Sequence, residues 1–82
     1  MKIEFSKKAE KQFSHLNPRL QNKIIESLEK FKIGEKIDIK KLKGFNETYR
    51  IRVGSYRISL DKTNEDTFLI TYIAKRENFY LI

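Results

Sequence analysis

A two-residue turn in the middle of the chain constrains the fold more than any other feature. Gly54-Ser55 separates two segments, residues 49–53 and 56–60, that each alternate between apolar and polar side chains. A Gly-X pair between such segments is typical of a type II′ or I′ β-hairpin. A loop of two residues also sets the register of the strands. The predicted cross-strand pairs are Val53 with Tyr56, Arg52 with Arg57, and Arg50 with Ser59.

This register gathers three arginines on one face of the hairpin. Period-two alternation turns Arg50, Arg52 and Arg57 away from the apolar side chains of the same strands. Like charges directly across a strand pair are destabilising. A sequence that keeps Arg52 opposite Arg57 therefore indicates that an anion binds there, and phosphate is the natural candidate.

Positive charge is concentrated around the hairpin. Residues 39–60 contain six basic residues and one acidic residue, a net charge of +5 in a chain whose total is +7. Such a concentration favours a polyanionic ligand over general solubility. The lysines that precede the hairpin, Lys40, Lys41 and Lys43, are predicted to contact the phosphate backbone of such a ligand together with the three arginines.

The size and composition of the chain exclude several ways of stabilising it. With 82 residues and no cysteine, it has neither disulfides nor a cysteine-based zinc site. His15 is the one histidine and the carboxylates are not clustered, so neither a metal nor a cofactor is expected. Packing, or a partner, must supply the core. No apolar run reaches the length of a membrane span or a secretory signal, which predicts a cytoplasmic protein without a membrane partner.

Two helices are predicted before the hairpin. Ser6 can cap a first helix with Ala9 and Phe13 on its apolar side. Asn17-Pro18 begins a second helix, since asparagine is a good N-cap and proline suits the first helical position. Its apolar stripe ends before Gly34, which is predicted to terminate it.

The remaining segments complete an α+β fold. Residues 35–47 are polar and predicted to be irregular, and residues 67–74 form a nearly continuous apolar strand that is expected to be covered on both faces. The predicted order is β-α-α-β-β-β in a single small domain, residues 1–82. In this arrangement an antiparallel sheet carries the helical hairpin on one face.

Three short motifs resemble the RelE/ParE superfamily of bacterial and archaeal toxin–antitoxin toxins. The central motif is Lys-Leu-Lys-Gly at residues 41–44 followed by Tyr-Arg-Ile-Arg-Val-Gly-x-Tyr-Arg-Ile at residues 49–58. The opening Phe-Ser-Lys-Lys-Ala-x-Lys at residues 5–11 is similar to the start of the family. Near the C-terminus many members have His-Arg-x-x-aliphatic-Tyr, and residues 75–80 read Lys-Arg-Glu-Asn-Phe-Tyr. Lysine thus stands where histidine is frequent.

The resemblance implies a RelE-like microbial RNase fold and a toxin of a type II toxin–antitoxin module. RelE-like members cut mRNA in the ribosomal A site without a metal, by attack of a ribose 2′-OH on the adjacent phosphate. ParE-like members share the fold but poison DNA gyrase. A catalytically inactive nucleic-acid-binding relative is a third alternative. The joint presence of the basic hairpin, Arg76 and Tyr80 favours the RelE-like activity.

The resemblance also implies roles for six residues: Arg50, Arg52, Arg57, Lys75, Arg76 and Tyr80. The hairpin arginines match positions that bind and polarise the phosphate, and Arg76 lies near the leaving group. Tyr80 stacks on a base or orients the 2′-OH. Because arginine does not readily accept a proton, Lys75 is the expected general base, with a pKa lowered by neighbouring cations.

A cognate antitoxin is the second implied partner, beside the ribosome with its mRNA. Toxins of this superfamily are neutralised by a small protein that wraps around them. A small chain with an uncovered sheet edge or helical groove suits strand addition or an amphipathic helix. An acidic antitoxin segment would also neutralise the three arginines.

Overall fold

The structure is a computed structural model that describes residues 1–42 and 47–81, with side chains as far as Phe79. Its elements in chain order are β1 (Lys2–Phe5), α1 (Lys7–Ser14), α2 (Pro18–Lys32), β2 (Ile39–Lys41), β3 (Thr48–Val53), β4 (Tyr56–Asn64), β5 (Thr67–Lys75) and a 3₁₀ helix (Arg76–Leu81). The strands form one five-stranded sheet in the order β1-β5-β4-β3-β2. Both helices pack on the same face of it. The predicted α+β class and helical hairpin are confirmed.

The helices begin and end where local chemistry predicts. The Ser6 hydroxyl accepts the N–H of Ala9 at 3.1 Å, and the Asn17 side chain accepts the N–H of Leu20 at 2.9 Å. Each N-cap satisfies a backbone donor that the first turn leaves unpaired. After α2, Gly34 adopts a φ of 81°, the left-handed conformation that ends a helix.

The core lies between the helices and the sheet. Ala9 of α1 and Ile24 of α2 are fully buried against the strands. The fully buried strand residues are Ile51, Ile58, Leu60 and Ile70. Burying side chains of this size stabilises a fold by about 1.5–3 kcal/mol each. Because β3 and β4 alternate, this apolar face forces the polar residues of the hairpin onto the opposite face.

The prediction for the hairpin is confirmed in register. Val53 pairs with Tyr56, Arg52 with Arg57, and Arg50 with Ser59. Gly54 has a φ of 58°. Among the non-glycine residues that the structure describes, Glu47 alone has a positive φ. Ser55 therefore has a negative φ, which identifies a type II′ turn rather than type I′.

The prediction of a purely antiparallel sheet is wrong, because β1 runs parallel to β5. Ile3 lies beside Phe68 and Phe5 beside Ile70 in this pair. After β1 the chain forms the two helices and then β2, β3 and β4, before β5 pairs with β1. Strand direction depends on that path, and alternation within a strand contains no information about it.

The second correction concerns residues 35–47, which were predicted to be irregular. Residues 39–41 form β2, a short edge strand paired with β3 so that Ile39 lies beside Ile51 and Lys40 beside Arg50. Only Ile39 of the strand is even partly buried, so alternation is too short to be recognised.

No described helix is both long enough and apolar enough to cross a membrane.

A β-bulge at Thr71 changes which residues of β5 face the helices. Ser59 pairs with Tyr72 whereas Leu60 pairs with Ile70, so Thr71 has no counterpart in β4. An extra residue of this kind reverses the alternation beyond it. The strand is interior, between β1 and β4, and the fully buried Phe79 of the 3₁₀ helix packs on Tyr72. Tyr72 also donates its hydroxyl to the Phe79 carbonyl at 3.1 Å.

Candidate phosphate-binding site

Four arginines line one cavity on the sheet face opposite the helices. Arg50 and Arg52 come from β3, Arg57 from β4 and Arg76 from the first residue of the 3₁₀ helix; together they enclose about 230 Å³. We call these four residues the arginine cluster and this side of the sheet the arginine face. The cavity has room for a phosphate group, and guanidinium is the side chain best suited to bind one.

The hairpin turn brings Arg76 to the other three arginines. The backbone N–H of Arg76 donates to the carbonyl of Ser55 at 2.8 Å, which fastens the end of β5 to the turn. Arg76 is far from the hairpin in sequence, and this tertiary contact helps to bring it to the cluster.

Asp38 is an acidic residue inside this basic site. Its Oδ1 lies 3.2 Å from Nη1 of Arg50 and its Oδ2 lies 3.3 Å from Nε of Arg52. One carboxylate thus forms ion pairs with two arginines that lie two residues apart on the same face of β3. It precedes β2, where extension of the register places it opposite Arg52, and it accepts the Arg52 backbone N–H at 2.9 Å through its carbonyl.

Arg57 and Arg76 form no ion pair with any carboxylate in the described residues. Arg57 is held instead by neutral acceptors: its Nη1 donates to the carbonyls of Gly54 at 3.1 Å and Tyr56 at 3.0 Å. Partial burial, and then repulsion by the other three arginines, lowers the pKa of Arg57. Its charge is therefore incompletely compensated, which is the condition under which an anion binds well.

Lys75 is not part of the cavity. It pairs with Tyr56, which packs against the core under the helices, whereas the neighbouring Ala74 pairs with Arg57. The bulge at Thr71 is the physical reason. Without that extra residue, the alternation of β5 would direct Lys75 to the arginine face.

The other predicted contacts divide between the two faces. Lys40 is exposed beside Arg50 on the arginine face. Lys41 lies on the opposite face, where its ammonium is 3.4 Å from Glu47 and 6.0 Å from the ring centre of Tyr49. The position predicted for Lys43 is outside the described residues, as is the side chain of Tyr80.

Sequence reasoning missed Asp38 because it treated residues 35–47 as irregular. The available signal was the alternation Ile37-Asp38-Ile39, which places one polar residue between two apolar ones. A second cleft of about 340 Å³ lies between α2 and residues 36–38, lined in part by Lys23, Glu26 and Lys30. Because it mixes acidic and basic residues, it lacks the single-sign charge of the arginine cluster.

Comparison with known proteins identifies the family. No family model matches the sequence. The chain is 34% identical to toxin RelE3 of Methanocaldococcus jannaschii, with 98% of this chain and 96% of the relative covered. It is 35% identical to the RelE1 protein of the same organism, over 95% of this chain and 92% of the relative.

Solved structures give the same result. The chain superposes on the RelB–RelE antitoxin–toxin complex from Methanococcus jannaschii with a TM-score of 0.79, 32% identity and 94% of each chain covered. The intact E. coli RelBE complex is similar in fold, with a TM-score of 0.74, 19% identity, and 89% of this chain and 93% of that chain covered. Full-length identity above 30% together with the shared fold shows that this chain belongs to the RelE family of toxins.

Proposed function

We propose that this chain is the toxin of a type II toxin–antitoxin pair and that it cleaves mRNA in the ribosomal A site. The supporting observation is the arginine cluster, four guanidinium groups around one cavity in a chain of the RelE family. Among the described residues, no three His, Asp or Glu side chains gather into a metal site. We further propose that the reaction needs no metal and that it takes place in the cytoplasm.

The cluster suits the charge that develops during the reaction. The ribose 2′-OH loses its proton, and its oxygen attacks the adjacent phosphorus. The bond to the 5′-oxygen breaks and that oxygen gains a proton, which leaves a 2′,3′-cyclic phosphate and a 5′-OH. Negative charge builds up on the pentacoordinate phosphorus group, and preorganised cations stabilise it. We assign Arg57 and Arg52 to the phosphate oxygens, Arg50 to the same charge, and Arg76 to the leaving group.

The arginine cluster is less suited to proton transfer than to charge stabilisation, because arginine does not readily accept a proton. Lys75, proposed as the base from the sequence, belongs to the other side of β5. We therefore propose that charge stabilisation and orientation by the ribosome supply most of the rate enhancement, with Lys75 a minor contributor. Tyr80 is proposed to stack on a base or to orient the 2′-OH.

A small antitoxin is the proposed second partner. The archaeal relative with a TM-score of 0.79 was solved as a RelB–RelE antitoxin–toxin complex. An acidic segment of such an antitoxin would compensate the Arg57 and Arg76 charges, which the described carboxylates leave unpaired. This would neutralise the toxin by occupying the phosphate site.

Induction of the chain in cells tests the proposal. Mapping of 5′-OH ends on translated mRNA should reveal cuts in phase with codons, and these should disappear in a triple Arg50/Arg52/Arg57→Ala variant. Growth arrest with intact mRNA and an induced DNA-damage response would instead support a ParE-like gyrase poison. Absence of toxicity would indicate an inactive nucleic-acid-binding relative.

A further inference from the structure

The backbone around Asp38 is fixed more firmly than its exposure suggests. Its side chain is 49% exposed, yet the flanking Ile37 and Ile39 both pack against the core. The Ile39 N–H donates to the Ile37 carbonyl at 3.0 Å, a tight turn centred on Asp38. Two partly buried anchors and a backbone bond to Arg52 therefore hold the backbone of Asp38 in place.

Arg50 depends on the ion pair with Asp38 more than Arg52 does, because it is the more buried of the two. Its side chain is only 14% exposed, whereas that of Arg52 is 56% exposed. A cation withdrawn from water is costly unless it is paired. In addition, Arg52 faces Arg57 across the hairpin, so repulsion would drive their guanidinium groups apart. The two ion pairs with Asp38 offset the cost of burying Arg50 and hold Arg52 against the repulsion from Arg57.

We propose that Asp38 is a positioning residue for RNA cleavage. It holds Arg50 and Arg52 in fixed directions through its two oxygens and leaves Arg57 and Arg76 as the arginines that an incoming phosphate meets first. This inference rests on the proposed function, since it assigns a role within the same cluster. Its premise about anion binding is testable without any cleavage.

The first experiment follows the four Nε–H groups of the arginine cluster by NMR while inorganic phosphate is added to the purified chain. In the native chain, the signals of Arg57 and Arg76 should shift further at saturating phosphate than those of Arg50 and Arg52. In Asp38→Asn, the four signals should shift to a similar extent. Equal shifts of all four in the native chain would overturn the division of roles.

The second experiment measures ribosome-dependent cleavage by Asp38→Asn, Asp38→Glu and Glu26→Gln. Glu26→Gln is the charge-matched control, because Glu26 pairs with Lys30 on α2 and not with an arginine. Asp38→Asn should lower kcat about tenfold to a hundredfold while KM stays equal or falls, since net positive charge rises. Asp38→Glu should recover part of kcat, and Glu26→Gln should leave it unchanged.

The outcomes separate this inference from the proposed function. If the native chain cleaves mRNA and Asp38→Asn has the same kcat, Asp38 is not a positioning residue. A parallel loss in Glu26→Gln would attribute the effect to charge alone and also overturn it. If the native chain cleaves no mRNA, the proposed function fails. The phosphate titration still tests whether Asp38 holds Arg50 and Arg52 and leaves Arg57 and Arg76 to bind the phosphate.

Discussion

At the scale of single residues, the arginine cluster differs from an ordinary basic surface in how its charges are compensated. Arg50 and Arg52 share Asp38, whereas Arg57 donates to two backbone carbonyls that have no net charge. Arg57 and Arg76 are therefore the two arginines of the cluster whose charges no described carboxylate pairs.

Replacing Arg57 should affect cleavage more than any change outside the cluster. Arg57→Ala should lower kcat by about a hundredfold or more, the usual cost of losing one preorganised donor at a transition state. Arg57→Lys should recover only part of it, because an ammonium group cannot bind two phosphate oxygens as a planar fork. Single-turnover cleavage on programmed ribosomes measures both. The control is Arg19→Ala in the first turn of α2; an equal loss there would contradict the assignment.

Lys75→Ala tests the base predicted from the sequence. Since Lys75 lies beside Tyr56 and not in the cavity, we expect a loss of less than about threefold in kcat, far below the hundredfold of a catalytic donor. The same single-turnover assay applies. A loss as large as that of Arg57→Ala would show that Lys75 reaches the reacting atoms on the ribosome.

Binding of an anion to the arginine cluster should stabilise the folded chain. Partial burial and then the neighbouring arginines lower the pKa of Arg57, so its protonated form destabilises the folded state. That cost is present while Arg57 is protonated in the folded state, and it is relieved as the pH rises through the lowered pKa. Phosphate at ten times its Kd should add about 1.4 kcal/mol, or about 8 °C in Tm for a domain of this size.

Thermal unfolding in phosphate against chloride of equal ionic strength measures this effect. Arg57→Ala removes one of the two cluster charges that no described carboxylate pairs, and it should reduce the increase in Tm caused by phosphate. If the native chain and Arg57→Ala gain equally, the stabilisation is a general salt effect and not binding at the cluster.

At the scale of elements, the edge of β5 is completed by a helix. Beyond Phe5, α1 replaces β1 beside β5: the Ser6 hydroxyl donates to the Thr71 carbonyl at 3.0 Å, and Oε1 of Gln12 accepts the Ile73 N–H at 2.7 Å. Side chains thus satisfy backbone groups that a longer β1 would have paired. This arrangement accommodates the bulge at Thr71 without an unpaired backbone group at those positions.

Gln12→Ala should therefore destabilise the fold although Gln12 is a polar residue of a surface helix. It leaves the Ile73 N–H without its acceptor, which costs about 1–3 kcal/mol. Urea unfolding measures the change in free energy. Ser14→Ala is the control on the same helix, because its exposed hydroxyl bonds only to the Lys11 carbonyl; an equal change in both variants would contradict this role of Gln12.

At the scale of the whole molecule, the sheet separates two tasks. One face carries the core under the helices, and the other carries the arginine cluster with the exposed Lys40 at its margin. The adjacent lysines Lys40 and Lys41 lie on opposite faces, and Lys41 already has a partner in Glu47. They form a natural pair for testing where RNA lies.

The salt dependence of binding to a short single-stranded RNA should distinguish these lysines. Lys40→Ala should reduce the slope of log K against log salt by about 0.7, the value for one phosphate contact on a single strand. Lys41→Ala should reduce it less. Fluorescence anisotropy over a range of salt concentrations gives both slopes, and a larger reduction for Lys41→Ala would place the RNA on the other face.

Local rules were sufficient where the interacting residues are close in sequence. The helix caps at Ser6 and Asn17 and the stop at Gly34 are all found as predicted. The pairing of Arg52 with Arg57 follows from a two-residue turn. Each depends on a few neighbouring dihedral angles, which the residue types of the same segment restrict.

Residues that are neighbours in the sequence were enough to predict the hairpin, its register and the three arginines on one face. The family resemblance added Arg76 to the site, and its place in the cavity agrees with that. The parallel direction of β1 beside β5, the contact of Asp38 with the arginines and the position of Lys75 outside the cavity became clear only from the fold. Alternation gives the side of a strand on which a residue lies, but not which strand is its neighbour. That choice, and the bulge at Thr71, depend on packing between segments distant in sequence.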